Sequence, residues 1–314
     1  MKPNKGMLII SITILVILST LPLYASGYII SLLVTILMYA ILAMSWNILS
    51  GYTGYISLGT AAFFGIGIYA TVVGWSAGLP YPLLIVLGGL ASMIFALLIG
   101  FPFLRIRGPY FVILTFGLSE AVKFIIEQVE VKTKGGMFGN VLVGGPSMET
   151  FYYSLIAICI ITVVTDHIVR NSKFGLGLSS IKGNEEAAEA MGVDTTRYKL
   201  FAFATSALFM GFTGAVMALR WTYIVPAIAF NPMTSFQTMI MAILGGSADF
   251  RGPLLGAVVL TLISEAFGIR FPYHYMIILG ITLILIVKFL PMGLLGAIMR
   301  LRIGKKQYGS LLSS

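Results

Sequence analysis

The sequence predicts an all-α polytopic membrane protein, with about ten transmembrane or re-entrant helices and one short amphipathic helix outside the bilayer. Three observations predict it. The 314 residues are 58% hydrophobic and only 10% charged, against roughly 25% charged in a soluble domain, and the mean hydropathy is +0.99. Apolar runs close to the roughly 20 residues of a spanning helix follow one another almost end to end. The short alternating segments of a membrane β-barrel are absent, so lipid-exposed backbone is left to bond within helices.

In order, the expected spans are 7–24, 28–47, 58–78, 82–104, 109–127, 150–169, 200–222, 232–246, 253–268 and 273–290. The first has a basic start, an apolar core and Ala25-Ser26-Gly27 at its end. That pattern also fits a signal peptide, and an uncleaved helix is the expectation. Gly51-Tyr52-Thr53-Gly54 is the clearest place for irregular backbone, and some later spans are short enough to be broken. Gly108-Pro109 and Gly252-Pro253 each follow an arginine and precede an apolar run, where proline suits a helix's first turn. The repeated Arg-Gly-Pro hints at an internal duplication, and chance explains three residues as well.

Charge sets the expected orientation. With the N-terminus in the cytoplasm, the inner side collects fifteen Lys and Arg: Lys2, Lys5, Arg105, Arg107, Arg170, Lys173, Lys182, Arg197, Lys199, Arg251, Lys288, Arg300, Arg302, Lys305 and Lys306. The outer side collects five, Lys123, Lys132, Lys134, Arg220 and Arg270. Both termini and the loop 171–199 are therefore expected inside. The net charge of +9 follows from this bias, so nucleic acid is not an expected partner. The chain divides into a membrane domain, 1–296, and a basic cytoplasmic tail, 297–314, expected to lie on anionic lipid.

Few residues suggest chemistry. Cys159 sits inside an apolar run, and His167 and His274 have no Cys, Asp or Glu at ligand spacing, so no metal site is expected. No nucleophile–base pair is visible, and no phosphate-binding loop of the Gly-x-x-x-x-Gly-Lys-Ser/Thr type. The chain is expected to be no enzyme, with no catalytic residue and no cofactor of its own.

The longest strongly polar stretch encloses a helix with its own start and stop. Asn184 is a good N-cap, and Glu185 and Glu186 favour the positive end of the helix dipole. Gly192 suits the left-handed C′ position, with Val193 beyond it. On a helical projection Ala187, Ala188, Ala190 and Met191 share one arc, while Glu185, Glu186 and Glu189 share the other. An alanine face admits close approach, which suits docking into a partner's groove. A solvated helix packed on its own loop fits as well.

Within the membrane, Asn47, Ser57, Thr60 and Gln237 either line a path or bond neighbouring helices. Gly59, Gly65 and Gly67 mark either a hinge or close helix packing. Glu120 and Lys123 share a helix face and suit an ion pair, with a role along a path as the alternative. Glu265 is expected at the interface.

Several segments resemble one family. Glu186-Ala187-Ala188 followed by Gly192 is similar to the EAA-x-x-x-G coupling motif of ABC importer permeases. Residues 51–59 resemble its G-x-x-G-x-x-S-L-G segment, and 105–111 through Glu120 its R-L-R-G-x-Y run. Residues 244–257 resemble its G-G…G-P-x-x-G-A segment, and 291–296 its closing P-x-G-L-x-G, with Met292 where arginine is common. Five motifs in order, over about 40–296, identify the chain as similar to LivM-type permeases of branched-chain amino acid importers. The resemblance implies a LivH-type permease partner, two ABC ATPase subunits that bind ATP-Mg, an extracytoplasmic substrate-binding protein, and import by alternating access. It implies a location in the cytoplasmic membrane of a bacterium or archaeon. It assigns ATPase coupling to Glu186, Ala187, Ala188 and Gly192, and the capped helix that carries them extends the expectation to Glu185, Glu189 and Met191. The expected transport path takes in Asn47, Ser57, Gly59, Thr60, Glu120 and Gln237. Amides such as urea, small sugars, or an ion-coupled carrier are the alternatives.

Overall fold

The computed structural model describes residues 22, 24–133, 139–247, 249–270, 280 and 293–296. The expected spans 7–24 and 273–290 and the tail 297–314 lie outside the described residues, apart from residues 22, 24 and 280. Helix α1 (Gly27–Trp46) runs into a single π turn, Asn47–Gly51. After it come α2 (Thr60–Ser76), α3 (Tyr81–Phe103) and α4 (Pro109–Thr133). A two-residue strand, β1 (Asn140–Val141), precedes α5 (Met148–Asn171), α6 (Lys173–Gly183) and α7 (Glu185–Ala190). Then follow α8 (Thr195–Trp221), β2 (Tyr223–Ile224), α9 (Pro226–Ala229), α10 (Pro232–Gly245) and α11 (Arg251–Arg270).

Among the described residues, seven helices are long and apolar enough to cross a membrane, and Thr60–Ser76 is a shorter apolar helix. Each expected span from 28–47 to 253–268 therefore has its helix. The eighth expected span, 232–246, is the single helix α10, and the interruption lies just before it, between α9 and α10. Pro226 and Pro232 each open a short helix, α9 then α10, because proline is tolerated in a first turn and not beyond it.

Helix α8 is the hub. Its span is mostly buried and that of α4 mostly not, so α8 is wrapped by the other described helices while α4 lies at their periphery. Glycines bring α2, α3 and α8 together. A Cβ on Gly67 would lie 2.3 Å from Gly211 O, and one on Gly214 would lie 2.1 Å from Phe64 O. A Cβ on Gly65 would meet the Phe230 ring at 2.3 Å. Of the two readings for Gly65 and Gly67, close packing is the one realised. A second knot joins α10 and α11, where a Cβ on Gly245 would lie 1.7 Å from Gly252 O. Phe63 meets Phe203 edge to face, with centroids 5.0 Å apart.

The loops sort to two ends. Residues 51–59, 104–107 and 182–199 meet at one end through Tyr55, Leu104, Arg107, Lys182, Glu185 and Lys199. The strand pair β1–β2, in register Asn140↔Ile224 and Val141↔Tyr223, joins loops that the charge count puts on the opposite side. The grouping agrees with that count without fixing which end faces the cytoplasm.

Candidate functional site: a tethered helix at one end of the bundle

Local sequence builds α7 as a closed unit. Asn184 Oδ1 accepts from the Ala187 N–H at 3.1 Å, satisfying one of the first-turn donors. At the other end Gly192 adopts φ +88°. Its N–H donates to Glu189 O at 2.9 Å, and the Val193 N–H donates to Ala188 O at 3.0 Å. These are the two bonds of a Schellman stop, and only glycine enters that backbone region at no steric cost.

The helix is tied inward by a charged cluster. Lys199, at the start of α8, is 3% exposed at its side chain, and Glu185 is 10% exposed. The Lys199 ammonium donates to Glu185 Oε1 (2.6 Å), Leu104 O (2.9 Å) and Tyr55 Oη (3.2 Å). Three donors thus find three acceptors. Tyr55 Oη donates to Glu185 Oε2. Arg107 lies 3.5 Å from Glu185, 3.6 Å from Glu186 and 3.9 Å from Glu189, at half exposure. Those longer contacts contribute little singly. Thr195 Oγ1 donates to Glu189, and Lys182 Nζ donates to Gly51 O at 2.8 Å, tying α6 to the end of the π turn.

Burial by itself would raise the Glu185 carboxyl. Hydrogen bonds from Lys199 and Tyr55, then the charges of Lys199 and Arg107, outweigh it and hold the group below its ordinary value. A depressed carboxylate stabilises the folded form fully above its unfolded value, about 4.3, and loses that effect as pH falls through the folded value. Amide protection of 185–192, corrected for intrinsic exchange, is therefore expected to be flat from about pH 5.5 to 8 and to fall only in acid below about pH 4. Hydrogen exchange checks this, and a loss of protection near neutral pH would contradict it.

The face directed inward differs from the expected arc. Glu185 and Ala188, the latter 3% exposed, point into the protein. Glu186, Ala187, Ala190 and Met191 are exposed. The expected split of alanine face against glutamate face was one of hydrophobicity alone. Lys199 and Tyr55 reverse it by drawing one carboxylate in.

The expected path residues lie on several elements. Asn47, Ser57, Gly59 and Thr60 lie together around the π turn and the extended chain after it. Trp46 Nε1 donates to Ser57 O (2.7 Å), and the Gly59 N–H to Ser57 Oγ (3.2 Å). Thr60 Oγ1 is buried and has no hydrogen-bond partner among the described residues. Gln237, on α10, instead accepts from Tyr39 on α1. Glu120 pairs with Lys123 at 2.7 Å along α4. Sequence reasoning missed Tyr55, Arg107 and Lys199 as site residues. It also missed a second cluster at the same end, in which Tyr52 Oη donates to the buried Asp166 (2.9 Å) and Arg170 pairs with Asp249 (2.5 Å). The available signal was scarcity: a chain with eleven acidic residues that buries Asp166 and Asp249 has a use for both.

Fold and site together define a multi-pass membrane protein that holds a short, rigid helix at one end of its bundle. The family described as "Branched-chain amino acid transport system / permease component" matches residues 28–287, and the chain belongs to that family. It is 29% identical over 290 residues to the high-affinity branched-chain amino acid transport system permease protein LivM of Salmonella typhimurium, covering 82% of this chain and 68% of that protein. It is 27% identical over 315 residues to LivM of Escherichia coli, covering 90% and 74%. A shorter likeness, 21% over 141 residues and 44% of each chain, is to the ribose import permease protein RbsC of Haemophilus influenzae. No solved structure shows a significant match.

Proposed function

We propose that this chain is one of two permease subunits of an ATP-driven importer for leucine, isoleucine and valine in the cytoplasmic membrane. Its partners are a LivH-type permease, two ATPase subunits that bind ATP-Mg, and an extracytoplasmic substrate-binding protein. This chain moves and catalyses nothing covalent. The observation that carries the reading is α7, capped at both ends and tethered through Glu185, with Glu186, Ala187, Ala190 and Met191 free to contact an ATPase. Closure of the ATPase dimer pushes α7. The Glu185–Lys199–Tyr55 cluster passes that displacement to α8 and to the segment before α2, and the bundle alternates its access. Stiffness is what this requires of the helix, since a frayed segment would absorb the stroke.

The assay is uptake of radiolabelled leucine into vesicles carrying the chain with its partners, with ATP inside and unlabelled valine, isoleucine, urea and ribose as competitors. ATP-dependent uptake blocked by valine and isoleucine is expected. Blocking by ribose alone would favour a sugar cargo, the reading suggested by the partial likeness to a ribose permease. Uptake indifferent to ATP would sink the importer reading. Gly192→Asp strains the left-handed C′ position by about 1 kcal/mol, and Glu186→Arg reverses an exposed charge. Both are expected to lower transport per ATP hydrolysed while the chain still inserts. Wild-type coupling in both would exclude docking at α7.

A further inference from the structure

The chain has twenty Lys and Arg against eleven Asp and Glu, and all eleven acids lie among the described residues. Arg220, the last residue but one of α8 and inside the span Thr195–Trp221, forms an ion pair with none of them. Lys123 has Glu120, and Arg170 has Asp249. The partly buried Arg220 guanidinium instead donates from Nη2 to Ser31 Oγ (2.8 Å) and Ser31 O (3.3 Å), and from Nη1 to Thr35 Oγ1 (3.4 Å). Nη1 also lies 4.0 Å from Met217 Sδ. Glu265, at the same end of the bundle, accepts from Tyr28 Oη (3.0 Å).

Two features show that this is more than an arginine at a membrane edge. Ser31 and Thr35 are the fifth and ninth residues of α1, so the guanidinium is drawn roughly 6–12 Å inside that helix's end at 1.5 Å per residue. Snorkelling would turn it the other way. A polar stripe also runs inward from it. Between Ser31 and Ala43 the polar side chains of α1 are Ser31, Thr35 and Tyr39, four apart on one face. All three are partly buried, while Val34, Leu37, Met38, Ala40 and Ile41 fill the core behind them. Tyr39 ends the stripe on Gln237 of α10.

A desolvated cation without a counter-charge is costly unless an anion joins it, and an intramembrane ionisable group is a functional candidate for that reason. We infer that Arg220, with the hydroxyls of Ser31 and Thr35, seats the carboxylate of the transported amino acid at the end of the bundle opposite α7, from where the Tyr39–Gln237 pair leads inward. The inference rests on the amino-acid reading above. A guanidinium fork matches a carboxylate bidentately, and a sugar offers it no charge. The hydrophobic side chain of the cargo would face the apolar residues beside the stripe.

The test uses the whole transporter in proteoliposomes with saturating leucine-loaded binding protein. Arg220→Gln is expected to lower the maximal rate of tritiated leucine uptake about tenfold or more, the scale of a lost charge-assisted pair. The concentration of binding protein at half-maximal rate stays fixed, and Arg220→Lys falls between. A wild-type rate in Arg220→Gln overturns the inference. So does a defect confined to assembly with the second permease, which would assign the anion to that partner, or a requirement for anionic lipid, which would assign it to a phosphate. A second measurement stands if that variant fails to assemble. In a Cys159→Ala, Ser31→Cys background without binding protein, millimolar leucine is expected to slow thiol modification at position 31, and leucinamide, which lacks the carboxylate, is not. Equal protection by both, or by neither, also overturns it. Wild-type vesicles that move ribose and not leucine would instead remove the amino-acid reading itself.

Discussion

Lys199→Met is expected to loosen α7 strongly. The substitution removes a 3%-exposed ammonium and leaves Glu185, 10% exposed, with Tyr55 and a 3.5 Å contact to the half-exposed Arg107. Breaking a buried ion pair from one side costs about 3–5 kcal/mol, because the remaining charge keeps its desolvation without its partner. The loss falls on α7 and its junction with α8, since the bundle itself is held by apolar packing. Amide exchange at 185–192 should then quicken by about a hundredfold or more, the factor that the lower end of that range, ~3 kcal/mol, implies at 1.4 kcal/mol per tenfold. The double variant Glu185→Gln, Lys199→Met leaves no buried charge and is expected to recover part of that protection. If the single change leaves exchange at 185–192 unaltered, the cluster does not tether the helix. If the double variant is no better than the single one, the cost lies in lost packing of the lysine stem and not in charge.

That cluster also shows what the sequence disclosed and what it hid. The position and limits of α7 were legible because caps are local: Asn184 and Gly192 sit at fixed offsets from the helix they close. The spans from 28–47 to 253–268 were legible because hydrophobic length is a local property too. The tether was not. Its residues, Tyr55, Leu104, Arg107, Glu185 and Lys199, come from four separate stretches. No periodicity reports which of fifteen inner-side cations meets which carboxylate. Lys199 and Arg107 entered the topology count as interchangeable positive charges, although one is buried and one half exposed. The direction of α7 was misread for the same reason. An amphipathic projection ranks faces by hydrophobicity, and here a buried lysine drew a glutamate inward. Glycine was ambiguous until its neighbours were known, since an unwound hinge and a tight helix crossing ask for the same residue.

Gly211→Leu is expected to be among the most damaging substitutions in the bundle. A Cβ at this position would lie 2.4 Å from Ser92 Oγ and 2.5 Å from Gly88 O, while Gly67 presses on Gly211 O from the other side. Ser92 is itself committed, its hydroxyl donating to Phe63 O at 2.8 Å. Little can yield, because the nearest atoms are the short, hydrogen-bonded side chain of Ser92 and the backbone of α3 at Gly88. Overpacking a core costs about 1–3 kcal/mol where side chains can adjust, and here whole helices must part, so the loss is expected to exceed that range. Without close contact among α2, α3 and α8, the helices lose the van der Waals packing that substitutes for hydrophobic drive in lipid. Gly117→Leu supplies the contrast. Gly117 lies exposed on α4 with nothing within 4 Å of its added Cβ, and leucine favours a helix over glycine by about 0.8–1 kcal/mol. Folded yield by fluorescence-detected gel filtration should therefore collapse for Gly211→Leu and hold or rise for Gly117→Leu. Equal yields from the two would mean that α2, α3 and α8 do not meet through their glycines, and α8 would lose its place as the hub of the bundle.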